Sequence, residues 1–173
     1  MAAARRRPRP RQMHPPPAHP GPAVRNPDVL EIAIAALWRA SGAGTEVLIA
    51  RRPASAIRGG LWELPGGKAE PGETPAAAAA RELAEETGVA VAADAGIVLG
   101  REEQHDPHLP AERRIAITMV AFEAPPDAAP RAIGSDDCRW ERVDRLGEYE
   151  WPAANHRLNA LLSTLGTAAP AAG

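Results

Sequence analysis

The segment 66–89 constrains the fold more than any other part of this 173-residue chain. It reads GGKAEPGETPAAAAARELAEETGV, and its second half predicts a helix over Pro75–Thr87. Thr74 suits the N-cap, because its hydroxyl can accept a hydrogen bond from a helical N–H, and proline is tolerated at the first helical position. The run of alanines favours the helix, and Gly88 suits the left-handed residue that ends it.

Three glutamates crowd the last turns of this predicted helix. Glu82 lies three residues before Glu85 and four before Glu86, so the three carboxylates share one stripe. Like charges at these spacings repel, and the helix dipole disfavours anions near the C-terminus. A hard divalent cation such as Mg²⁺ removes the conflict, because it prefers carboxylate oxygens. Arg81 can orient one carboxylate, and Glu73 can fold back toward the cluster.

The complete segment resembles the Nudix box. That motif consists of a glycine, five spacers, a glutamate, seven spacers, Arg-Glu-aliphatic, one spacer, Glu-Glu, one spacer and Gly-aliphatic. Counting from Gly67, every specified position is filled. The resemblance implies a Nudix fold, which is an α/β fold of the α+β kind with a mixed sheet between helices. It also implies a hydrolase that uses Mg²⁺ or Mn²⁺ to cleave a nucleoside diphosphate linked to another group.

The resemblance also implies roles for the residues of the box. Glu82, Glu85 and Glu86 match the metal-binding positions of the family and form the centre of the expected catalytic set. Arg81 matches the orienting arginine, and Glu73 matches the supporting glutamate.

The sequence around the start of the box resembles the MutT-type subgroup. Residues 61–74 read LWELPGGKAEPGET, where that subgroup has EFPGGK and GET. Gly66 and Gly67 would let the backbone approach the substrate closely, and a carbonyl, that of Gly66, would join the metal shell. Leu64 stands where the subgroup commonly has a phenylalanine that contacts the substrate.

Two further positions match that subgroup. Residues 151–155 read WPAAN, similar to the FPPAN of MutT-type enzymes, in which the asparagine hydrogen-bonds the edge of an oxidised guanine. Asn155 would then read the base, since an amide both donates and accepts, or it caps the final helix. Arg52 lies fifteen residues before Gly67, where the subgroup also has an arginine, and is either a phosphate-binding residue or a surface arginine.

The general base and a further metal carboxylate stay open at this point. Glu82 is the preferred base, and its rivals lie in the predicted loop 102–113: Glu102, Glu103 and His105. Asp137 is the preferred additional metal ligand. Its alternatives are Glu123 and Asp136.

The remaining periodicity predicts a β-β-α-β-β-β-α order, which indicates a mixed α/β or α+β domain. The predicted strands cover residues 29–38, 46–51, 96–101, 114–123 and 139–143. A second helix is predicted over 155–165, because four leucines fall on one face and Gly166 follows.

Composition sets the boundaries and excludes some classes of function. Residues 1–27 hold eight prolines and six of the twenty basic residues, so we expect a disordered Arg/Pro-rich tail before a domain at 28–165 and a flexible tail at 166–173. The remainder is net acidic, which argues against binding of duplex nucleic acid. No apolar run suits a membrane span. The single cysteine fits a reducing, cytoplasmic location.

Three functional hypotheses follow. The first is a MutT-like pyrophosphohydrolase that yields a nucleoside monophosphate and pyrophosphate, with 8-oxo-dGTP as the candidate substrate. The second is a Nudix pyrophosphatase for another substrate, such as ADP-ribose, a dinucleoside polyphosphate or a pyrimidine triphosphate. The third is a non-catalytic module that senses a nucleotide. In each case the expected partner is a small nucleotide, and the expected state is a monomer or homodimer.

Overall fold

The computed structural model describes residues 28–106, 109–110 and 113–166. The tail expected at 1–27 and residues 167–173 of the expected C-terminal tail lie outside these ranges. The strands are β1 (Val29–Ser41), β2 (Gly44–Arg51), β3 (Trp62–Glu63), β4 (Gly66–Lys68), β5 (Ile97–His105), β6 (Arg114–Glu123) and β7 (Asp137–Arg142). The α-helices are α1 (Pro75–Thr87) and α2 (His156–Asn159), and short 3₁₀ turns cover Ala93–Ala95, Val143–Glu148, Ala153–Asn155 and Ala160–Thr164.

The strands form one mixed sheet around β1. Along one edge, β1 runs parallel to β6, and β5 lies beyond β6. Along the other edge, β1 pairs antiparallel with β2 near their hairpin and with β4 nearer its own start. β3 and β7 both pair with β2. β3 and β4 therefore fill the gap where β1 and β2 diverge, which brings the Gly66–Lys68 segment beside the central strand.

Alternation along β1 divides the core into two layers. Ala33, Ala35 and Leu37 pack on the side of α1, whereas Ile34 and Ala36 face the C-terminal turns. Successive side chains of a strand point to opposite faces, so both faces of this buried strand must be apolar. The predicted arrangement, a mixed sheet with helical structure on both sides, is confirmed.

Helix α1 has the predicted ends. The hydroxyl of Thr74 accepts a hydrogen bond from the N–H of Ala77 at 3.2 Å. Gly88 adopts the left-handed conformation with φ 74°, and its N–H donates to the carbonyl of Ala84. This conformation favours glycine, because it has no Cβ to clash.

The predicted helix over 155–165 is wrong as a continuous α-helix. Only His156–Asn159 is α-helical, and a 3₁₀ turn flanks it on each side. The predicted apolar face nevertheless packs against the sheet, and its buried members are Leu158, Leu162 and Leu165. Because so short a helix depends on tertiary packing, contact with the sheet decides its geometry more than helical periodicity does.

Two other elements differ from the expectations. β5 extends to His105, so Glu102, Glu103 and His105 lie on a strand rather than in a loop. Pairing along β6 overrides the polar composition there. β3 and β4 are too short to show a periodicity in the sequence and exist through their pairing with β2 and β1. None of the helices in the described ranges is long and apolar enough to cross a membrane.

Leu83 anchors α1 to the sheet, and its side chain is fully buried. We expect Leu83→Ala to lower the free energy of unfolding by about 3 kcal/mol, since it removes buried methyl groups and leaves a cavity. Urea denaturation measures this change. Ile97→Ala is the control, because Ile97 is 68% exposed and its truncation should cost less than about 0.5 kcal/mol. Equal losses in both variants would contradict the packing described here.

Candidate active site

The glycine pair of β4 comes unusually close to its neighbours. Gly66 pairs with Ile34 and Gly67 with Ala33 across the strands. A Cβ on Gly66 would lie 2.4 Å from the carbonyl oxygen of Ala33, and a Cβ on Gly67 would lie 2.5 Å from the Glu82 carboxylate. Both distances are too short for a side chain. The glycine pair therefore allows a close approach to neighbouring groups, at Gly67 to a carboxylate of the box, while the predicted contacts of Gly66 and Gly67 with substrate and metal stay predictions.

Arg81 holds the carboxylates of the box together. Its Nε and Nη2 donate to the two oxygens of Glu73, each at 3.1 Å. Its Nη1 donates to Glu82 at 2.8 Å and lies 3.5 Å from Glu85. Nη2 also donates to the carbonyl of Lys68 at 3.0 Å. Bonding to Glu73 and Glu82 raises the pKa of Arg81. One guanidinium thus connects the start of α1, its glutamate stripe and β4.

Glu86 is the last glutamate of the stripe, and its negative charge is less well neutralised than that of Glu73 or Glu82. The N–H of Gly66 donates to its carboxylate at 3.0 Å. Burial raises the pKa of Glu86 to about 7, and the charges of Glu63 and Glu82 act in the same direction. The Gly66 hydrogen bond and the charge of Arg52 oppose this shift. The site thus gathers carboxylate oxygens whose negative charge is only partly neutralised. A hard divalent cation prefers such oxygen donors.

Glu63 belongs to this cluster and was missed by the sequence analysis. It lies on β3, and its carboxylate accepts a hydrogen bond from Nη1 of Arg52 at 2.7 Å. Burial raises the pKa of Glu63, while Arg52 lowers it. The Nε of Arg52 also donates to the carbonyl of Ile57 at 3.1 Å. The available signal was an acidic residue within the apolar run LWELPG, which suggests a buried carboxylate with a partner.

The aspartates near β7 have other partners. Asp137 forms an ion pair with Arg139, which is two residues further along the chain. Asp136 accepts a hydrogen bond from the N–H of Ala54 at 3.1 Å and so ties the loop after β2 to the segment before β7. The metal-binding role expected for Asp137 stays a prediction.

Glu123 lies at the opposite end of the sheet from the glycine pair. It is in register with Trp38, five residues along β1 from Ala33, which corresponds to roughly 17 Å. The rival bases on β5 also have partners or face solvent: Glu102 lies 3.8 Å from Arg157, Glu103 lies 3.1 Å from Arg114, and His105 is exposed. Glu82, by contrast, lies within the box.

The residues expected to contact the base lie on the other face of the sheet. Asn155 is 7% exposed and occupies the predicted N-cap position of α2, but its side chain makes no capping hydrogen bond there. Its predicted role as base reader stays a prediction. Leu64 is 2% exposed and packs in the core, and this burial does not support the substrate contact predicted for it. Trp62 packs edge-on against Tyr149, with ring centroids 5.0 Å apart.

Within the described ranges, no three potential metal-ligating side chains are already arranged as ligands of one ion. The hydrogen bonds above give the physical reason. Arg81 binds Glu73 and Glu82, while the Gly66 N–H binds Glu86. The carboxylates are therefore paired with protein donors, and a bound cation would compete with these donors for the same oxygens.

The fold and the site define a class of protein. In this class, a mixed sheet lies between helical layers, and a capped helix rich in glutamate packs against a glycine pair on a short inner strand. The family model described as NUDIX domain matches residues 30–162, which is most of the chain. The chain therefore belongs to the Nudix family.

Individual relatives are similar over shorter stretches. A 45-residue segment, 26% of this chain, is 56% identical to the 8-oxo-dGTP diphosphatase of Proteus vulgaris and covers 40% of that protein. A 44-residue segment, 25% of this chain, is 50% identical to the CTP pyrophosphohydrolase of Escherichia coli and covers 33% of it. These matches span less than half of the curated relatives.

The fold likeness is broader. The solution structure of the E. coli ORF135 protein aligns with a TM-score of 0.64 and 26% identity, over 84% of this chain and 96% of that one.

The raised pKa of Glu86 predicts how stability depends on pH without added metal. The carboxyl titrates near 7 in the folded protein and near 4.5 when unfolded, so the folded state holds more protons between these values. The free energy of unfolding should fall as pH rises from 4.5 to 7, by on the order of 2 kcal/mol.

Glu86→Gln should make this decrease smaller, whereas Glu123→Gln at an exposed position should leave it unchanged. Chemical denaturation of the metal-free protein from pH 4.5 to 8 measures the effect. A Glu86→Gln variant with the same pH profile as the wild type would contradict the assignment.

The close approach of Gly67 to the Glu82 carboxylate predicts that Gly67→Ala folds but binds a metal ion more weakly. Gly67→Ala would displace the flexible end of a side chain, so the free energy of unfolding should change little. Affinity for Mn²⁺ measured by calorimetry should fall about tenfold, as for loss of a residue that orients a ligand. Gly66→Ala, which clashes with backbone, should destabilise the fold, and Gly42→Ala in open space should do neither. Unchanged Mn²⁺ affinity in Gly67→Ala would contradict the prediction.

Proposed function

We propose that the chain is a Mg²⁺-dependent, MutT-like pyrophosphohydrolase that converts a nucleoside triphosphate into a nucleoside monophosphate and pyrophosphate. One observation carries the proposal. Glu82 and Glu86 converge with Glu63 around the glycine pair of β4, and burial raises the pKa of Glu86 there to about 7. Membership of the Nudix family supports it.

The donor set fits a divalent cation. Glu82, Glu85 and Glu86 would hold Mg²⁺, or Mn²⁺ in its place, together with the carbonyl of Gly66 and with Asp137 as the additional carboxylate. The N–H of Gly66 already faces Glu86, and the N–H and C=O of one strand residue point to the same edge. When bound, such an ion neutralises charge on the phosphoryl oxygens and lowers the pKa of bound water.

The side chains of this chain would perform the remaining tasks. Water attacks phosphorus, the bond to the pyrophosphate leaving group breaks, and Glu82 accepts the proton of the water. Arg81 holds that carboxylate in place through its 2.8 Å hydrogen bond, and Glu73 fixes Arg81 in turn. Arg52 binds the phosphates of the substrate from the loop after β2.

For the base, we propose 8-oxo-dGTP as the preferred substrate. The 8-oxo-dGTP diphosphatase similarity supports this choice, and the Asn155 amide offers both a donor and an acceptor to a purine edge. The similarity to CTP pyrophosphohydrolase favours a pyrimidine triphosphate as the second candidate. The proposed setting is the cytoplasm, with a small nucleotide as partner and a monomer or homodimer as the working state.

A substrate panel with a charge-removing variant tests this proposal. Purified protein with Mg²⁺ is incubated with 8-oxo-dGTP, dGTP, dCTP, ADP-ribose or diadenosine tetraphosphate, and the products are separated by chromatography. We expect the highest kcat/KM for 8-oxo-dGTP, with the monophosphate and pyrophosphate as products. Glu86→Gln should lower kcat at least about 100-fold, because it removes a charged ligand.

Glu148→Gln, at an exposed surface position, is the matched control and should retain activity. A preference for ADP-ribose or diadenosine tetraphosphate would overturn the proposed substrate. Tight nucleotide binding without turnover by the wild type would overturn the proposed reaction and favour a sensing module.

A further inference from the structure

An ion pair joins two segments that are distant in sequence. Nη2 of Arg58, in the loop 52–61 between β2 and β3, donates to Oδ2 of Asp106 at 2.6 Å. Asp106 directly follows β5, and its side chain is 10% exposed, while that of Arg58 is 34% exposed. Because the Asp106 end of the pair is shielded from water, the pair is screened less than one between two exposed groups.

The backbone of Arg58 is held in a costly conformation. Its φ of 60° makes it the one non-glycine residue with positive φ in the described ranges. The left-handed region is unfavourable for a residue with a Cβ, because the Cβ comes too close to the following carbonyl oxygen. Such strain persists where surrounding contacts impose it. Here the Asp106 ion pair and the turn in which the N–H of Leu61 donates to the Arg58 carbonyl impose it.

The loop is connected directly to Arg52. The carbonyl of Ile57, immediately before Arg58, accepts a hydrogen bond from Nε of Arg52 at 3.1 Å. Nη1 of the same guanidinium donates to Glu63 at 2.7 Å. The guanidinium is thus held between the loop and β3, and moving the Ile57 carbonyl would break one of these two hydrogen bonds.

We propose that Arg58 and Asp106 are positioning residues, whose ion pair holds the Ile57 carbonyl in place and thereby aims the Arg52 guanidinium at the substrate phosphates. This inference rests on the proposed function, in which Arg52 binds those phosphates. The loop 52–61 has a second attachment, through Ala54 and Asp136. Loss of the ion pair should therefore change the aim of Arg52 without releasing the whole loop.

The experiment measures steady-state kinetics for Arg58→Ala, Asp106→Ala and the double variant, each in the wild-type and Arg52→Ala backgrounds. In the wild-type background, each variant should raise KM about five- to tenfold and leave kcat within about twofold, because ground-state binding is affected. The double variant should be no worse than either single one. In the Arg52→Ala background, neither substitution should raise KM further.

Two comparisons separate this role from a purely structural one. Arg58→Lys retains the charge and should recover part of the KM. Glu46→Ala breaks a similarly short ion pair, Arg39–Glu46 at 2.7 Å, at the hairpin end of the sheet and should leave KM unchanged. Thermal denaturation of all variants shows how much each substitution destabilises the fold.

Several outcomes would overturn the inference. These are unchanged KM in both single variants, additive effects in the double variant, or an equal rise of KM in the Arg52→Ala background. A wild-type protein that cleaves none of the nucleotides would instead overturn the proposed function. The affinity for α,β-methylene dGTP, measured by calorimetry, would then replace KM in the same set of variants.

Discussion

The rest of the site depends on the way Arg81 divides its donors among the carboxylates of the box. A helix that ends in three glutamates is opposed by charge repulsion and by its own dipole. Arg81 neutralises Glu73 and Glu82 and approaches Glu85, but among the described residues it forms no ion pair with Glu86. Glu86 instead accepts a hydrogen bond from the N–H of Gly66, and burial raises its pKa to about 7. Stability alone does not explain such an arrangement, and this supports the proposed cation site.

The sheet places residues of the proposed site on both of its faces. β3 and β4 occupy the gap where β1 and β2 diverge, so the glycine pair is brought against α1 on one face. On the opposite face, the C-terminal turns place Asn155 beside the apolar core. Arg52 and its loop lie at the end of β2, from which the guanidinium reaches Glu63. The sheet thus lies between the carboxylates and the predicted base reader.

Sequence reasoning succeeded where the determinants were local. The caps Thr74 and Gly88 act within one turn of α1, and their roles could be predicted because they depend on adjacent backbone groups. It failed for the predicted helix 155–165 and for β5, whose lengths depend on packing and strand pairing. Glu63 was missed for the same reason, since its partner Arg52 lies eleven residues away and is reached only through the β2–β3 pairing.

The sequence by itself determined the family pattern, the helix that carries the glutamates and the need for a close backbone approach at Gly66 and Gly67. These properties follow from residue type and spacing along one segment. Only the tertiary structure decided which carboxylates are buried, which donors they meet and how the Arg58–Asp106 ion pair reaches Arg52. Burial and hydrogen bonding between segments depend on strand register and loop geometry, and both arise when the sheet assembles around β1.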